Sequence, residues 1–297
     1  MSIQWYPGHM TKARQAMAEV MPSQDVIIEV LDARMPGASE NPVVAELRKQ
    51  KPCLKVLSKS DLADPEATRA WLRYFESARA EPSNDHPAGR VVAIAIRNDR
   101  QPETRTRIAA LCKRLALHPS GPGKTVRAMV VGIPNVGKST LINTLMERKV
   151  AKVGDEPAVT KSRQNVTLKN GMSLSDNPGI LWPKIEDEGA SFRLALGGAI
   201  PDTALDYENV ALFGARFLLA SYPELLRARY KLTALPTSPG DLLAEIGRRR
   251  GALRSGGVID MHKAADVLLH DFRAGALGKI SLEWPPATFE TSALPES

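Results

Sequence analysis

The stretch Gly132-Ile-Pro-Asn-Val-Gly-Lys-Ser139 decides the fold of this chain of 297 residues. It fits the pattern G-x-x-x-x-G-K-[ST], in which backbone N–H groups of a glycine-rich turn point at the phosphates of a nucleotide. The apolar run Val126-Arg-Ala-Met-Val-Val131 precedes it, and a helical pattern follows from Lys138. A helix that begins there aims its N-terminus at the same phosphates. Residues 132–139, called the phosphate loop below, therefore predict a site for a nucleoside triphosphate.

The residue types in the phosphate loop have separate predicted tasks. Lys138 reaches the β- and γ-phosphates, and the Ser139 hydroxyl is a ligand of Mg²⁺. The other predicted nucleotide contacts in and after the loop are Asn135, Val136, Gly137 and Thr140. The alternative is a glycine-rich turn between a strand and a helix, with a solvated lysine.

Two motifs downstream of the loop complete a predicted metal and γ-phosphate site. Asp176-Asn-Pro-Gly179 fits D-x-x-G, in which Asp176 holds Mg²⁺ through water and the Gly179 amide senses the γ-phosphate. Between the loop and this motif lies Glu156-Pro-Ala-Val-Thr160, where Thr160 is the predicted hydroxyl that closes on the metal. Each motif alone also fits an ordinary turn or loop. Their order along the chain favours the metal site.

A base-recognition motif lies ahead of the phosphate loop rather than behind it. Ser58-Lys-Ser-Asp61 follows the apolar run 53–57, and no N-K-x-D pattern follows residue 179. The Asp61 carboxylate is predicted to accept the N1–H and 2-amino groups of guanine, which adenine does not offer. The stem of Lys59 is predicted to lie over the ring, and Ser58 completes the base site. A capped turn between a strand and a helix is the alternative.

The pattern of the whole chain predicts an α/β fold in two parts. Apolar runs at 25–31, 53–57, 91–96 and 126–131, and a further short strand pattern at 171–175, alternate with helical patterns. This alternation is typical of a parallel-rich sheet with helices on both faces. Because the base motif precedes the phosphate loop, residues 1–186 are predicted to form a circularly permuted P-loop GTPase domain. Strand patterns cease after that, so residues 187–297 are predicted to form a small all-helical C-terminal domain.

Composition and charge limit the classes of protein that remain. With 43% hydrophobic and 25% charged residues, the chain has the composition of a soluble globular protein. It has no apolar run of the roughly 20 residues that a membrane helix needs, and no signal peptide, so a cytoplasmic location is expected. The net charge of +7 fits either a basic solvated surface or a polyanionic partner.

The motifs together resemble the YlqF/RbgA family of circularly permuted ribosome-assembly GTPases. The segments that carry the resemblance are Trp5-Tyr-Pro-Gly-His-Met10, Val30-Leu-Asp-Ala-Arg-Met-Pro36, and residues 58–61, 132–140, 157–160, 176–181, 247–257 and 271–280. The resemblance implies a GTP-hydrolysing factor for late assembly of the large ribosomal subunit. Such a factor binds rRNA and the 50S precursor in its GTP state and leaves on hydrolysis. Its implied partners are GTP, GDP and that precursor, without DNA or membrane.

Two positions depart from the family pattern. The family has Asn where this chain has Ser58, and that Asn ties the base site to the phosphate loop. Serine is shorter, so a lower affinity for guanine is expected, with specificity set by Asp61. In the run 91–96 the family commonly has a serine beside the guanine O6, where this chain has Ala93-Ile-Ala95. A backbone N–H near Ala95 or Ile96 is expected to take its place.

The residue after D-x-x-G sets the expected rate of hydrolysis. In Ras-like enzymes a Gln at that position orients the attacking water, and Ile180 cannot, so slow intrinsic hydrolysis is expected. The resemblance implies that His9 positions the water instead, acting with Lys138 and Thr160. It also implies that Asn135 helps to hold K⁺ against the phosphates. A capping or solvated His, a turn-forming Asn and a group donated by the ribosome are the alternatives.

A basic cluster in the helical half is the predicted RNA-binding surface. Its members are Arg248, Arg249, Arg250 and Arg254, bracketed by glycines. With only 5% aromatic residues in the chain, recognition of RNA backbone and shape is expected rather than base stacking. A solvated loop is the alternative. Two rival functions also stay open: a nucleotide-dependent RNA-binding scaffold with negligible hydrolysis, and a GTPase of another RNA-related process.

Overall fold

The computed structural model describes residues 8–77, 89–97, 100–116, 125–146, 164–168, 171–176, 179–182, 185, 187–201 and 206–286. Its strands are β1 (Val26–Asp32), β2 (Cys53–Ser58), β3 (Val91–Ala95), β4 (Val126–Val131), β5 (Gln164–Thr167) and β6 (Met172–Asp176). They form a six-stranded sheet in the order β3-β2-β1-β4-β6-β5. Neighbouring strands pair in parallel, except that β5 runs antiparallel to β6.

Helices cover both faces of this sheet. In the first part of the chain they are α1 (Gly8–Val20), α2 (Pro36–Ser39), α3 (Pro42–Arg48), α4 (Pro65–Ser77), α5 (Gln101–Leu115) and α6 (Lys138–Met146). Strand β1 is buried along its whole length, as a parallel strand covered on both faces must be. Its residues alternate between two cores: Val26 and Ile28 join one apolar cluster and Ile27 joins another. The predicted α/β class with a parallel-rich sheet is confirmed.

The second part of the chain is helical in the described residues beyond 187. Its helices are α7 (Glu188–Leu196), α8 (Tyr207–Ser221), α9 (Pro223–Tyr230), α10 (Pro239–Arg250) and α11 (Met261–Arg273). The change from mixed to all-helical structure was predicted at this place. The apolar core nevertheless continues across it, because Val130 of β4 and Leu243 of α10 belong to one cluster.

The chain then returns to the sheet after α11. The backbone N–H of Ile280 donates to Leu62 O over 3.0 Å, and that of Leu282 donates to Arg34 O over 2.7 Å. The indole of Trp71 on α4 donates to Glu283 O over 3.3 Å. Residues 280–283 therefore fasten the helical half to the carboxyl ends of β1 and β2, next to the predicted base site.

Three elements were not anticipated from the sequence. Strand β5 reads Gln-Asn-Val-Thr and lacks the apolar run from which strands β1 to β4 are predicted. Helices α2 and α3 span four and seven residues, too short to show a helical period. Among the helices of the described residues, none is long and apolar enough to cross a membrane.

Candidate nucleotide site

The phosphate loop leaves β4 at the carboxyl edge of the sheet and leads directly into α6. Its turn requires left-handed backbone, with φ of +147° at Gly132, +59° at Asn135 and +97° at Gly137. A Cβ added at Gly132 would lie 2.5 Å from Val30 O, which no side chain tolerates. The two glycines of the motif are therefore demanded by the path of the loop, as a loop that wraps phosphates requires.

Lys138 and Gly179 meet across the phosphate loop. The Lys138 side chain is buried, and its Nζ donates to Ile133 O over 2.7 Å. A Cβ at Gly179 would lie 2.7 Å from that Nζ and 2.8 Å from the backbone nitrogen of Pro134. The glycine of D-x-x-G thus sits against the loop where only a glycine fits. Ser139 and Thr140 follow in the first turn of α6.

The predicted metal ligands are described only in part. Asp176 ends β6 and is in register with Val130 of β4, so its backbone lies beside the strand that enters the phosphate loop. Its side chain lies outside the described part of the structure, as does the whole of Thr160. The same holds for the side chain of His9, whose backbone begins α1.

The base motif follows β2 and contacts the phosphate loop. The Ser58 hydroxyl lies within hydrogen-bonding distance of Leu31 O, at 2.9 Å, and of Val136 O. A hydroxyl carries one hydrogen, so it donates to one of these carbonyls at a time. Ser58 therefore keeps the link between base site and loop that was expected to weaken, but with half the donors that an asparagine amide would supply.

Lys59 also bridges the base motif and the loop. It adopts a φ of +55°, and its Nζ donates to Asn135 O over 2.7 Å and to Asp32 Oδ2 over 3.0 Å. The side-chain stem is thereby stretched between β2 and the phosphate loop. Stacking of this stem on a nucleobase stays a prediction.

Asp61 carries the clearest sign of a ligand. Its Oδ1 is buried and accepts no hydrogen bond from the described residues. A buried polar atom without a partner is rare in native proteins, because it loses its hydration without compensation. The N–H groups of a bound guanine are donors of the kind this oxygen lacks.

One of the two backbone groups expected at the base is engaged elsewhere. The backbone N–H of Ile96 donates to Leu57 O over 2.9 Å, and Ile96 O accepts the Ser60 hydroxyl over 2.8 Å. Ile96 is therefore engaged in joining β3 to the base motif, and of the two groups expected near the base, Ala95 N–H or Ile96 N–H, that of Ile96 is used in the pairing of β3 with β2.

A buried ion cluster beneath the base site was missed from the sequence. Asp32 and Arg34 are 0% and 1% exposed, and the guanidinium donates twice to the carboxylate, over 3.0 and 2.8 Å. Burial alone would raise the pKa of Asp32, but the positive charges of Arg34 and Lys59 lower it below its usual range. The only sequence signal was the segment 30–36 that carries the family resemblance.

Two contacts join this region to the helical half. Arg34 Nη1 donates to Phe272 O of α11 over 3.0 Å, with its guanidinium 4.6 Å from the Phe272 ring centroid. Asn135 Nδ2 in the phosphate loop donates to Gly198 O, just after α7, over 2.8 Å. The ion cluster below the base site and the phosphate loop are thus each hydrogen-bonded to the helical half.

Ile180, in the position of the missing glutamine, is a core residue. Its side chain is 1% exposed and packs with Met17, Met21 and Met129. It therefore faces the apolar core and cannot orient a water molecule, as predicted. Its backbone carbonyl is held by the side chain of Asn41, over 2.8 Å.

The four arginines of the predicted RNA surface are all ion-paired. Arg248 and Arg249 pair with Glu245, Arg250 with Asp271, and Arg254 with Asp260. Arg250 also stacks on the Tyr230 ring. The side chains of Arg248 and Arg254 are the most exposed of the four, at 57% and 63%. These two are therefore the members that most readily reach another molecule.

Comparison with known proteins agrees with this geometry. A family model described as a 50S ribosome-binding GTPase matches residues 127–203. Ribosome biogenesis GTPase A of Bacillus cereus is 42% identical over 292 residues, covering 96% of this chain and 95% of that protein. The protein of the same name from Thermotoga maritima is 29% identical and covers 95% of this chain and 94% of its own length.

Solved structures show the same architecture. The structure of GNP-bound YlqF from T. maritima has a TM-score of 0.62 and 26% identity, covering 92% of this chain and 98% of that one. The GDP-bound structure of TM YlqF gives the same score and covers 91% and 99%. A near full-length relative at 42% identity, the permuted sheet and the phosphate loop agree. The chain belongs to the YlqF/RbgA family of circularly permuted GTPases that act in ribosome biogenesis.

Proposed function

We propose that this GTPase binds a precursor of the large ribosomal subunit and its rRNA while GTP is bound, and that hydrolysis releases it late in assembly. The observation that carries the proposal is the hydrogen bond from Asn135 in the phosphate loop to Gly198 O. It gives the nucleotide a direct structural connection to the basic helical half. Gain or loss of the γ-phosphate changes the contacts of the loop, and this bond transmits the change.

The site geometry supports the following nucleotide contacts. Asp61, Lys59 and Ser58 receive guanine, and the phosphate loop with Lys138 receives the phosphates. The unpartnered Oδ1 of Asp61 supports the base contact. The position of Gly179 against Lys138 Nζ supports a γ-phosphate contact by its amide. Because Ser58 has one donor for two carbonyls, guanine affinity is lower than an asparagine at that position would give.

P-loop GTPases generally use Mg²⁺, and the residues of this chain fit it. Ser139, Thr160 and Asp176 offer hydroxyl and carboxylate oxygens, the ligands that Mg²⁺ prefers. The register of Asp176 beside Val130 places its backbone next to the loop that contains Ser139. When bound, the ion neutralises negative charge on the β- and γ-phosphates.

Hydrolysis needs a group other than Ile180 to orient water. We assign this task to His9, with Lys138 and Thr160 stabilising the charge on the transferred phosphoryl group. Support comes from α1, which begins beside His9 and packs its Met17 in the same apolar cluster as Ile180. Asn135 is assigned to K⁺ binding: its nitrogen donates to Gly198 O, and its amide oxygen has the chemistry of a K⁺ ligand.

The helical half, residues 187–297, is proposed to contact rRNA through Arg248, Arg249, Arg250 and Arg254, and residues 1–186 to form the nucleotide domain. Ion pairs on an exposed surface contribute about 0–1 kcal/mol. Arg248 and Arg254 therefore exchange a carboxylate for an RNA phosphate at little cost. A cytoplasmic location is part of the proposal, because the ribosomal precursor that the protein is proposed to bind is itself cytoplasmic.

Turnover and binding measurements test the proposal. GTP hydrolysis is measured with and without large ribosomal subunits, in K⁺ and in Na⁺, and subunit binding is compared for GTP-analogue-loaded and GDP-loaded protein. Stimulation by subunits, dependence on K⁺ and tighter binding in the analogue state are expected. His9→Ala is expected to lower stimulated turnover with GTP binding intact, and His262→Ala on α11 is the matched control. Equal binding in both nucleotide states would contradict the proposed release.

A further inference from the structure

Asn41 contacts Ile180, the residue after the D-x-x-G motif, from a buried position outside the nucleotide motifs. Its side chain is 0% exposed, and its Nδ2 donates to Ile180 O over 2.8 Å. Its Oδ1 accepts the backbone N–H of Val43 over 3.0 Å, as the N-cap of α3. Both ends of the amide are occupied, so the group cannot rotate without losing a hydrogen bond.

The support behind Asn41 is a buried set of charges. Its backbone N–H donates to Glu29 Oε1 over 3.2 Å. The other oxygen of Glu29 pairs with Lys55 over 2.7 Å, and Lys55 also pairs with Glu40 over 2.8 Å. Lys55 is 0% and Glu29 2% exposed. Buried charges hold their geometry because separating them leaves an uncompensated charge, so Asn41 is held on a rigid support in the sheet.

The other partner of Asn41 is the residue next to Gly179. A Cβ at Gly179 would lie 2.7 Å from Lys138 Nζ and 2.8 Å from Pro134 N, so this part of the backbone has no room to approach the loop further. The Ile180 side chain is fixed in the apolar core. Asn41 adds the one polar contact that the described residues make to the Ile180 carbonyl, and so fixes the orientation of the segment.

We propose that Asn41 is a positioning residue that holds the backbone segment formed by Gly179 and Ile180 in the orientation that binds GTP in preference to GDP. This inference rests on the proposed contact between the Gly179 amide and the γ-phosphate. Without the hydrogen bond from Asn41, the segment turns away from the phosphate loop more easily. GTP binding must then restore its orientation, whereas GDP, which lacks the γ-phosphate, is unaffected.

Asn41→Ser in the full-length protein tests this. Serine still accepts the Val43 N–H as an N-cap, but it is too short to reach Ile180 O. Loss of one hydrogen bond predicts a roughly 3- to 10-fold weaker affinity for a non-hydrolysable GTP analogue. GDP affinity stays within about twofold, and kcat for GTP falls. Asn41→Asp keeps the size and the cap but turns an acceptor toward Ile180 O, and a larger loss in the same direction is expected.

Two further variants separate this role from general destabilisation. Ser238→Ala removes the N-cap of α10 and is expected to lower the melting temperature without changing the ratio of analogue to GDP affinity. Gly179→Ala is expected to lower that ratio. If Asn41→Ser and Asn41→Asp keep the wild-type ratio while Gly179→Ala lowers it, the role of Asn41 is overturned.

If the premise is wrong, and the Gly179 amide does not contact the γ-phosphate, the three variants give a different set of affinity ratios. If Gly179→Ala also keeps the wild-type ratio, the γ-phosphate contact is absent and the inference falls with it. Both results come from the isolated protein, whereas release from the ribosomal precursor is measured with subunits. Failure of the proposed function is therefore distinguishable from failure of this inference.

Discussion

Two clusters of arginine and carboxylate lie at opposite extremes of solvent exposure in this molecule. Below the base site, Arg34 and Asp32 are 1% and 0% exposed, and Lys59 completes the set. In the helical half, Arg254 pairs with Asp260, and the arginine side chain is 63% exposed. The chemical groups are the same, but the surroundings differ, and this difference decides what each cluster does.

In the buried cluster the ions have no water to replace a lost partner, so the pair acts as a fixed part of the scaffold. It joins β1, the base motif through Lys59 and α11 through Phe272 O. At the exposed cluster water and salt compete with every contact, so each pair is weak and exchangeable. The first cluster therefore supports the base site, and the second is the one proposed to bind RNA.

The largest effect is expected from breaking the buried cluster. Asp32→Asn leaves the guanidinium of Arg34 buried without its counter-charge, and a loss of about 3–5 kcal/mol in the free energy of unfolding is expected. Chemical denaturation measures it. Glu245→Gln is the matched change in the exposed cluster, where Glu245 pairs with Arg248 and Arg249, and a loss below about 1 kcal/mol is expected there.

The pH dependence sharpens the same comparison. In the folded protein the pKa of Asp32 is lowered from its usual value of 3.8, so the ionised carboxylate stabilises the folded state. This stabilisation is complete above the pKa that Asp32 has in the unfolded chain, and it is lost as the pH falls from there through the lower pKa of the folded state. The difference between wild type and Asp32→Asn is therefore expected to be constant above about pH 5 and to shrink in acid. Equal losses for Asp32→Asn and Glu245→Gln would contradict the distinction.

The two clusters also show which features of the site can be predicted from the sequence. The phosphate loop and D-x-x-G were found because their chemistry needs residues at fixed short spacings. The partners of Arg34 include Phe272, 238 positions away, and no local pattern records such a contact. Hydropathy also counts Asp32 and Arg34 as surface residues. The support of Asn41 by Glu29 and Lys55 was invisible for the same reason.

The strands also divide into those that the sequence predicts and one, β5, that it does not. Strands β1 to β4 carry apolar runs, and the sequence predicts them, whereas β6 is predicted from the short stretch 171–175. Strand β5 lies at the edge of the described sheet beside β6 and has Val166 as its one strongly apolar residue. A stretch of four residues with one apolar side chain is too short to show a strand period.

Asp61 is a third kind of carboxylate: the residue is half-buried, and its buried Oδ1 has no partner among the described residues. Asp61→Asn is expected to leave the stability of the nucleotide-free protein nearly unchanged, unlike Asp32→Asn. It is expected to weaken GTP binding by about 1.5–3 kcal/mol, or roughly 10- to 150-fold. Affinity for xanthosine triphosphate should rise, because xanthine presents a carbonyl where guanine has its amino group.

Equilibrium binding of GTP, ATP and xanthosine triphosphate measures this change. Asp64→Asn is the matched control, since Asp64 caps α4 by accepting from Glu66 N and asparagine caps equally well. Unaltered base preference in Asp61→Asn would remove Asp61 from the base site. It would also leave the orphan oxygen without a function.

The smallest effect on stability is expected at the exposed cluster, where the effect on binding is the more informative. Replacing Arg248 and Arg254 by Gln should change the free energy of unfolding by no more than about 0.5 kcal/mol each. Each lost phosphate contact should lower the slope of log affinity for rRNA against log salt by about one.

The control variant is Arg69→Gln with Arg107→Gln, two exposed arginines on α4 and α5, which removes the same charge elsewhere on the protein. If that control lowers the slope equally, net charge rather than this surface binds RNA. A loss of stability like that of Asp32→Asn would show that the exposed pairs belong to the scaffold after all.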